Sequence, residues 1–148
     1  MELLIKPMSD KIGTLIPFPY YATSGAAAMD LSACLDDAVS LAPGERAIIP
    51  TGISMSIPPK HVGLLFARSG LAIKEGLALI NGVGVIDSDY RGEVKVGLIN
   101  LSGEQRTIQH GQRIAQMAIM PVTLVHPVEV DELDDTTRGT GGLGSTGI

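Results

Sequence analysis

Two carboxylates and a phenol crowd the run Gly84-Val85-Ile86-Asp87-Ser88-Asp89-Tyr90-Arg91-Gly92-Glu93. The apolar pair Val85 and Ile86 reads as a strand end that delivers Asp87 to a tight polar turn. Gly92 then opens a second apolar strand, Val94 to Leu98. A carboxylate held beside a flat ring at a hairpin suits a small polar ligand, with Asp87 as base or water-orienting group. The same residues also suit a hairpin whose Asp and Ser side chains only serve turn chemistry.

Four other segments carry groups with chemical potential. Arg138-Gly139-Thr140-Gly141-Gly142-Leu143-Gly144-Ser145-Thr146-Gly147 combines one cation, three hydroxyls and glycines whose N–H groups can approach an anion closely. It has no Gly-Lys-Ser/Thr and no following helix, which excludes a Walker-type loop. Ala67-Arg68-Ser69-Gly70-Leu71-Ala72 puts an Arg and a hydroxyl at a strand end before a short helix. That is either an anion site or a Ser N-cap with a surface Arg. In Ala28-Met29-Asp30-Leu31-Ser32-Ala33, Asp30 is either a solvated strand residue or a carboxylate aimed at a cation. Gly111-Gln112-Arg113-Ile114-Ala115-Gln116 places Arg113 and Gln116 after a turn that leads into a sheet. His61, His110 and His126 show no metal-ligand spacing, and no Ser is flanked as in a nucleophile elbow. The acidic pairs Asp36-Asp37 and Asp134-Asp135 read as solvated loop charges.

The elements that must position these groups are short. The 148 residues suit one domain with a sizeable core, and 18 Gly and 9 Pro scattered among Val, Ile and Leu read as strands joined by many turns. Strands are expected at Leu3 to Ile5, Ala47 to Ile57, His61 to Arg68, Leu77 to Ile80, both arms around Asp87, Gln105 to Gln109 and Ile114 to Val125. Val94, Val96 and Leu98 share one face by period two. Only Ser69 to Glu75, stopped by Gly76, reads as a helix. The pattern predicts an all-β antiparallel sandwich or jelly roll. Residues 1–134 form this domain. Residues 135–148, with five Gly, bury too little apolar surface to offset ordering entropy and form a mobile arm.

A formal charge of −5 argues against a nucleic-acid surface. The lone Cys34 permits no intrachain disulfide, the N-terminal residues lack the pattern of a signal peptide, and the longest apolar tract is interrupted by Gln116 and Pro121. A cytoplasmic protein with no membrane segment is expected.

Taken in order, the segments around Asp30, Arg68, Asp87, Arg113 and Arg138 resemble the five motifs of the trimeric dUTP pyrophosphatases, the dUTPases. The resemblance runs from Asp30 to Gly147 and implies a distorted β jelly roll, a homotrimer with active sites shared between subunits, and Mg²⁺-assisted hydrolysis of dUTP to dUMP and pyrophosphate. That reaction keeps uracil out of DNA and supplies dUMP for thymidylate. It implies that Asp87 orients the attacking water and meets the deoxyribose 3′-hydroxyl, and that Tyr90 lies against the sugar and leaves no room for a 2′-hydroxyl. Asn81 and the backbone through Gly82, Gly84, Val85 and Ile86 pair with the uracil edge. Arg68, Ser69, Gly70 and Gln116 hold phosphate oxygens and the water. Asp30 faces the hydrated Mg²⁺ through water, and Arg138, Gly144, Ser145 and Thr146 clamp the terminal phosphates.

Two positions depart from the family pattern. Leu143 stands where an aromatic often stacks on uracil, so weaker arm closure is expected. Gln112 stands where Asp more often precedes the motif-four Arg. The dCTP deaminases share this fold but rely on a Glu directly after the third-motif aromatic, and here that residue is Arg91.

Overall fold

The computed structural model describes residues 1–142. Ten strands and one helix are assigned: β1 Leu4–Pro7, β2 Met29–Ser32, β3 Val39–Leu41, β4 Arg46–Ser56, β5 His61–Phe66, α1 Ser69–Glu75, β6 Leu77–Leu79, β7 Gly84–Ile86, β8 Glu93–Asn100, β9 Arg106–Ile108 and β10 Arg113–Pro121. One four-stranded sheet has the order β1-β4-β8-β6 and the other β2-β10-β5-β7, with β3 and β9 forming a small ladder. Every ladder between these strands is antiparallel. This is the jelly-roll sandwich that the alternating pattern predicts.

The core lies between the sheets. Val94, Val96 and Leu98 point inward and are at most 2% exposed, with Ile49, Ile53 and Met55 from β4 and Leu31, Leu65, Ile114 and Met117 from the facing sheet. Each such side chain contributes about 1.5–3 kcal/mol on burial, so period-two alternation fixes the register. The helix stops at Gly76, whose left-handed φ of 69° lets its N–H reach back to the Leu71 carbonyl.

The expected hairpin around Asp87 does not form. β7 pairs with β5 in one sheet, while β8 is flanked by β4 and β6 in the other. β7 and β8 thus take their partners in different sheets, so residues 87–92 make a corner between the two. The last expected strand also ends earlier, at Pro121, after which the Val122 N–H meets the Lys60 carbonyl and the regular ladder stops. The ladder β3 was not expected: three residues show no readable periodicity, and β3 is fixed by its partner β9.

Candidate active site

Asp30 sits on edge strand β2 with its side chain 12% exposed, opposite Gln116 of β10. Its Oδ1 accepts a hydrogen bond from Arg68 Nε at 2.8 Å, and its Oδ2 accepts one from an Arg113 terminal nitrogen at 2.9 Å. The carboxylate is therefore aimed at cations, and the cations are guanidinium groups. Two arginines against one acid leave the cluster with a net positive charge. Ala22, Ala26, Ala28, Ser69, Gly70 and Gln116 complete a recess of about 230 Å³ around them.

A β-bulge builds this cluster. Arg113 pairs with Ser32 and Gln116 with Asp30, but Ala115 already pairs with Leu31, so one residue of β10 is extra. In an unbroken strand, residues three apart point to opposite faces. The bulge restores Arg113 and Gln116 to the face that carries Asp30. Gln112 shapes the preceding turn: its Oε1 accepts from the Gln109 N–H at 2.9 Å, and its carbonyl accepts from the Ala33 N–H at 2.8 Å. An amide serves that turn as a carboxylate would. The Gln116 side chain donates to the Ala67 carbonyl at 3.1 Å, tying β10 to the strand end before Arg68.

Arg68, not Ser69, is the N-cap of α1; its guanidinium has only donors and cannot cap the helix N–H groups, and it donates to Asp30 instead. Ser69 is the first helical residue, exposed beside Gly70 at the mouth of the recess. The first N–H groups of a helix have no intrahelical acceptor, so this corner presents donors as well as cations.

Asp87 lies elsewhere. It is exposed at the corner after β7, and among the described residues its carboxylate has no hydrogen-bond or ion-pair partner. With Val85, Ile86, Tyr90, Glu93 and Lys95 it lines a second recess, also about 230 Å³. The turn is closed by the Tyr90 N–H to the Asp87 carbonyl at 3.2 Å. Arg91 folds back to donate to the carbonyls of Ser88 at 2.7 Å and Tyr90 at 2.9 Å. Asn81 stands exposed in the turn between β6 and β7, its carbonyl accepting the Val83 N–H. Gly84 is buried and packs against Leu65, where a Cβ would come within 2.9 Å of the Leu65 Cβ.

The two recesses do not meet within one chain. Asp30 and Ile86 sit on the two outer strands of a four-stranded sheet, three interstrand gaps or about 14 Å apart. Ile86 also lies opposite Gly63, whereas Gln116 lies opposite Phe66, a further offset of about 10 Å along the strands. Arg138 is exposed and donates to the Gly141 carbonyl at 3.2 Å, within its own segment. Leu143, Gly144, Ser145 and Thr146 lie outside the described residues. Arg113 and Glu93 belong to these recesses without having been singled out as site residues. The Arg113 role depends on the bulge, and a bulge leaves no mark in the hydrophobic pattern.

Fold and recesses define an all-β protein that presents a cationic corner and a separate exposed carboxylate. Residues 15–147 match the family described as dUTPase. A deoxyuridine 5′-triphosphate nucleotidohydrolase of Hahella chejuensis is 50% identical over 146 residues, covering 98% of this chain and 96% of that protein. One of Hydrogenobaculum sp. is 47% identical over 148 residues, covering 100% and 99%. Among solved structures, the Staphylococcus bacteriophage 80alpha dUTPase with dUpNHpp superposes with a TM-score of 0.87 at 27% identity, covering 99% of each chain. The chain belongs to the dUTPase family.

Proposed function

We propose that this protein hydrolyses dUTP to dUMP and pyrophosphate by water attack on the α-phosphorus, with each active site assembled from recesses on different subunits of a homotrimer. The observation that carries the reading is the Asp87 carboxylate, without a partner among the described residues, at the rim of a recess in a chain of the dUTPase family whose cationic cluster lies too far away to serve it. A cyclic assembly in which one subunit brings Asp87 and its neighbour brings Arg68 resolves the distance. The stretch after β10 supports such packing. Leu124, Val125, Val128, Val130 and Leu133 are between 57% and 84% exposed in a single chain, which a partner subunit would cover.

In this site Arg68, Arg113, Ser69 and Gly70 receive the phosphate oxygens, and charge-assisted hydrogen bonds of this kind contribute about 1.5–3 kcal/mol each. Asp87 orients the water in line with the leaving pyrophosphate and accepts a hydrogen bond from the 3′-hydroxyl. Tyr90 lies against the sugar. Asn81 and the backbone of residues 82–86 read the uracil edge, where a mismatched cytosine would leave donors and acceptors unpaired. Residues 135–148 close over the nucleotide as an arm carrying Arg138, Gly144, Ser145 and Thr146, with Leu143 over the base.

The donor set fits a hydrated Mg²⁺ carried in by the triphosphate. Among the described residues no group of three His, Cys, Asp or Glu is gathered to hold a metal ion, which suits an ion that takes most of its ligands from water and substrate. A carboxylate offers about four lone-pair directions, and the arginines engage one on each Asp30 oxygen, leaving room for a water-mediated contact. Bound there, Mg²⁺ supplies charge neutralisation and polarisation of the phosphates. A cytoplasmic location suits this substrate, and among the described residues no helix is long and apolar enough to cross a membrane. Deamination of dCTP is disfavoured because Arg91 occupies the position of the required Glu, and its guanidinium is spent on the corner's own carbonyls.

The test is a hydrolysis panel of dUTP, dCTP, dTTP and UTP with Mg²⁺. Pyrophosphate release from dUTP alone, abolished in Asp87→Asn while dUTP binding persists, is the expected result. Binding without turnover in the parent protein would replace the enzyme reading with a nucleotide-binding one.

A further inference from the structure

We infer that Gly92 sets the discrimination between deoxyribo- and ribonucleotides by providing the seat on which the Tyr90 ring rests. The inference rests on the reading of Tyr90 as the residue facing the sugar.

Tyr90 is held from three sides. Its backbone carbonyl accepts from Arg91, which also grips the Ser88 carbonyl and so fixes the corner. Its hydroxyl donates to the Glu93 carbonyl at 3.0 Å, folding the ring back over residues 91–93. The ring then covers Gly92 so closely that a Cβ there would fall inside contact distance of the phenolic oxygen, 2.6 Å from Cζ and 3.0 Å from Cε2. Gly92 is not among the glycines with positive φ, so its backbone would accept an alanine. What excludes a side chain is the phenol itself.

The acceptor end of this arrangement is braced from the opposite strand. The β4–β8 ladder shifts register between Pro50 and Ser54, which frees the Gly52 N–H from the ladder. Glu93 Oε1 captures it at 2.9 Å, and Thr51 Oγ1 donates to the Val94 carbonyl at 2.5 Å beside it. Glu93 is thus tied to β4 through its side chain while its carbonyl holds Tyr90. The outer face of Tyr90 stays open, 44% exposed, toward the recess that contains Asp87. A ring with one face seated on Gly92 and its hydroxyl tethered is a rigid wall. A ring lifted off its seat swings into or away from the sugar position and stops measuring the space at the 2′-carbon.

The experiment compares kcat/KM for dUTP and UTP in the parent protein, Gly92→Ala and Tyr90→Phe, with Mg²⁺. Incorporated 3-fluorotyrosine gives a ¹⁹F signal for Tyr90, assigned by its loss in Tyr90→Phe. In Gly92→Ala the preference for dUTP should fall about tenfold or more, the scale on which a single steric fit discriminates. The Tyr90 resonance should move while those of Tyr20 and Tyr21 stay. A folded Gly92→Ala that keeps both the parent preference and the Tyr90 resonance overturns the inference and leaves the sugar reading standing. A parent protein that hydrolyses UTP as well as dUTP removes the sugar reading itself, and the inference with it. Should Gly92→Ala fail to fold, Gly92→Ala combined with Tyr90→Ala decides, because the ring carbons as well as the hydroxyl meet the added Cβ. Removing the whole ring should restore melting toward that of Tyr90→Ala alone, and no recovery overturns the proposed seat.

Discussion

Asp30 and Arg68 are joined at 2.8 Å across two different elements, an edge strand and the cap of the only helix among the described residues. The second Asp30 oxygen holds Arg113, so one carboxylate orients both cations of the recess proposed to receive the phosphates. Asp30→Asn keeps the shape and removes the charge. The two guanidinium groups then repel and lose their common anchor. Affinity should suffer more than turnover, with KM for dUTP rising about tenfold, the effect of losing one charge-assisted contact. Steady-state kinetics checks this, and an unchanged KM would show that Asp30 does not position the arginines. Stability should fall by about 1–2 kcal/mol, at the low end for such pairs because Arg68 is a quarter exposed.

Asn100 is fully buried at the end of β8 and spends its whole amide there. Its Nδ2 donates to the carbonyls of Leu41 and Glu104, and its Oδ1 accepts from the Ser102 N–H and hydroxyl. Asn100→Ala leaves those groups unpaired and should cost about 2–4 kcal/mol. For a chain of this length the melting temperature should fall by roughly 5–15 °C. Neither Asn100 nor its partners Leu41, Ser102 and Glu104 line either recess, so kcat/KM for dUTP at 25 °C should stay within about twofold.

Lys11 and Asp36 form an exposed ion pair at 2.5 Å. Their mutual hydrogen bond is the main cause that holds the Asp36 carboxyl below its ordinary 3.8 and the Lys11 ammonium above its ordinary 10.5. A depressed acid stabilises the fold above its unfolded-state pKa and loses that effect as pH falls through the lowered value. A raised base stabilises below its unfolded-state pKa and loses the effect as pH rises through the raised one. The pair therefore acts across the neutral range and fades at both extremes. Thermal melts of the parent and Asp36→Asn should differ by a degree or two at pH 7 and converge as pH falls past the ordinary carboxylate value of 3.8 and through the lowered one. A gap that persists in acid would mean that Asp36 stabilises by something other than its charge.

Gly52 has a φ of 70°, and a Cβ there would lie 2.8 Å from Cys34 Sγ and 3.1 Å from Ile12 Cδ1. Backbone strain and overpacking act together, so Gly52→Ala should destabilise by about 2–4 kcal/mol in denaturant melts. A variant as stable as the parent would show that the β4 bulge has other conformations open to it.

The periodic parts of the fold are legible in the residues. Val94, Val96 and Leu98 alternate as they are buried, and Gly76 ends the helix where a left-handed residue is needed. The site is legible as a set of residue types, because Asp30, Arg68, Ser69, Gly70 and Gln116 do gather. Three things are hidden, each for a physical reason. The corner at Asp87 looks like a hairpin because local sequence cannot tell that β7 pairs with β5 in one sheet while β8 pairs with β4 in the other. Arg113 and Gln116 share a face only through a bulge. Glu93 reads as a surface acid at a strand start, and its grip on the Gly52 N–H exists only once β4 has shifted register.

The claim on which the rest depends is that Asp87 of one subunit serves phosphates held by Arg68 of another. Co-expressing two inactive chains, Asp87→Asn and Arg68→Ala, tests it directly, with each variant also purified alone. If sites form across a cyclic interface, random mixing should restore about a quarter of the parent rate of pyrophosphate release, since a quarter of the interfaces pair an intact Asp87 with an intact Arg68. Mixed assemblies no more active than the separate variants would contradict a shared site and require both recesses to act within one chain.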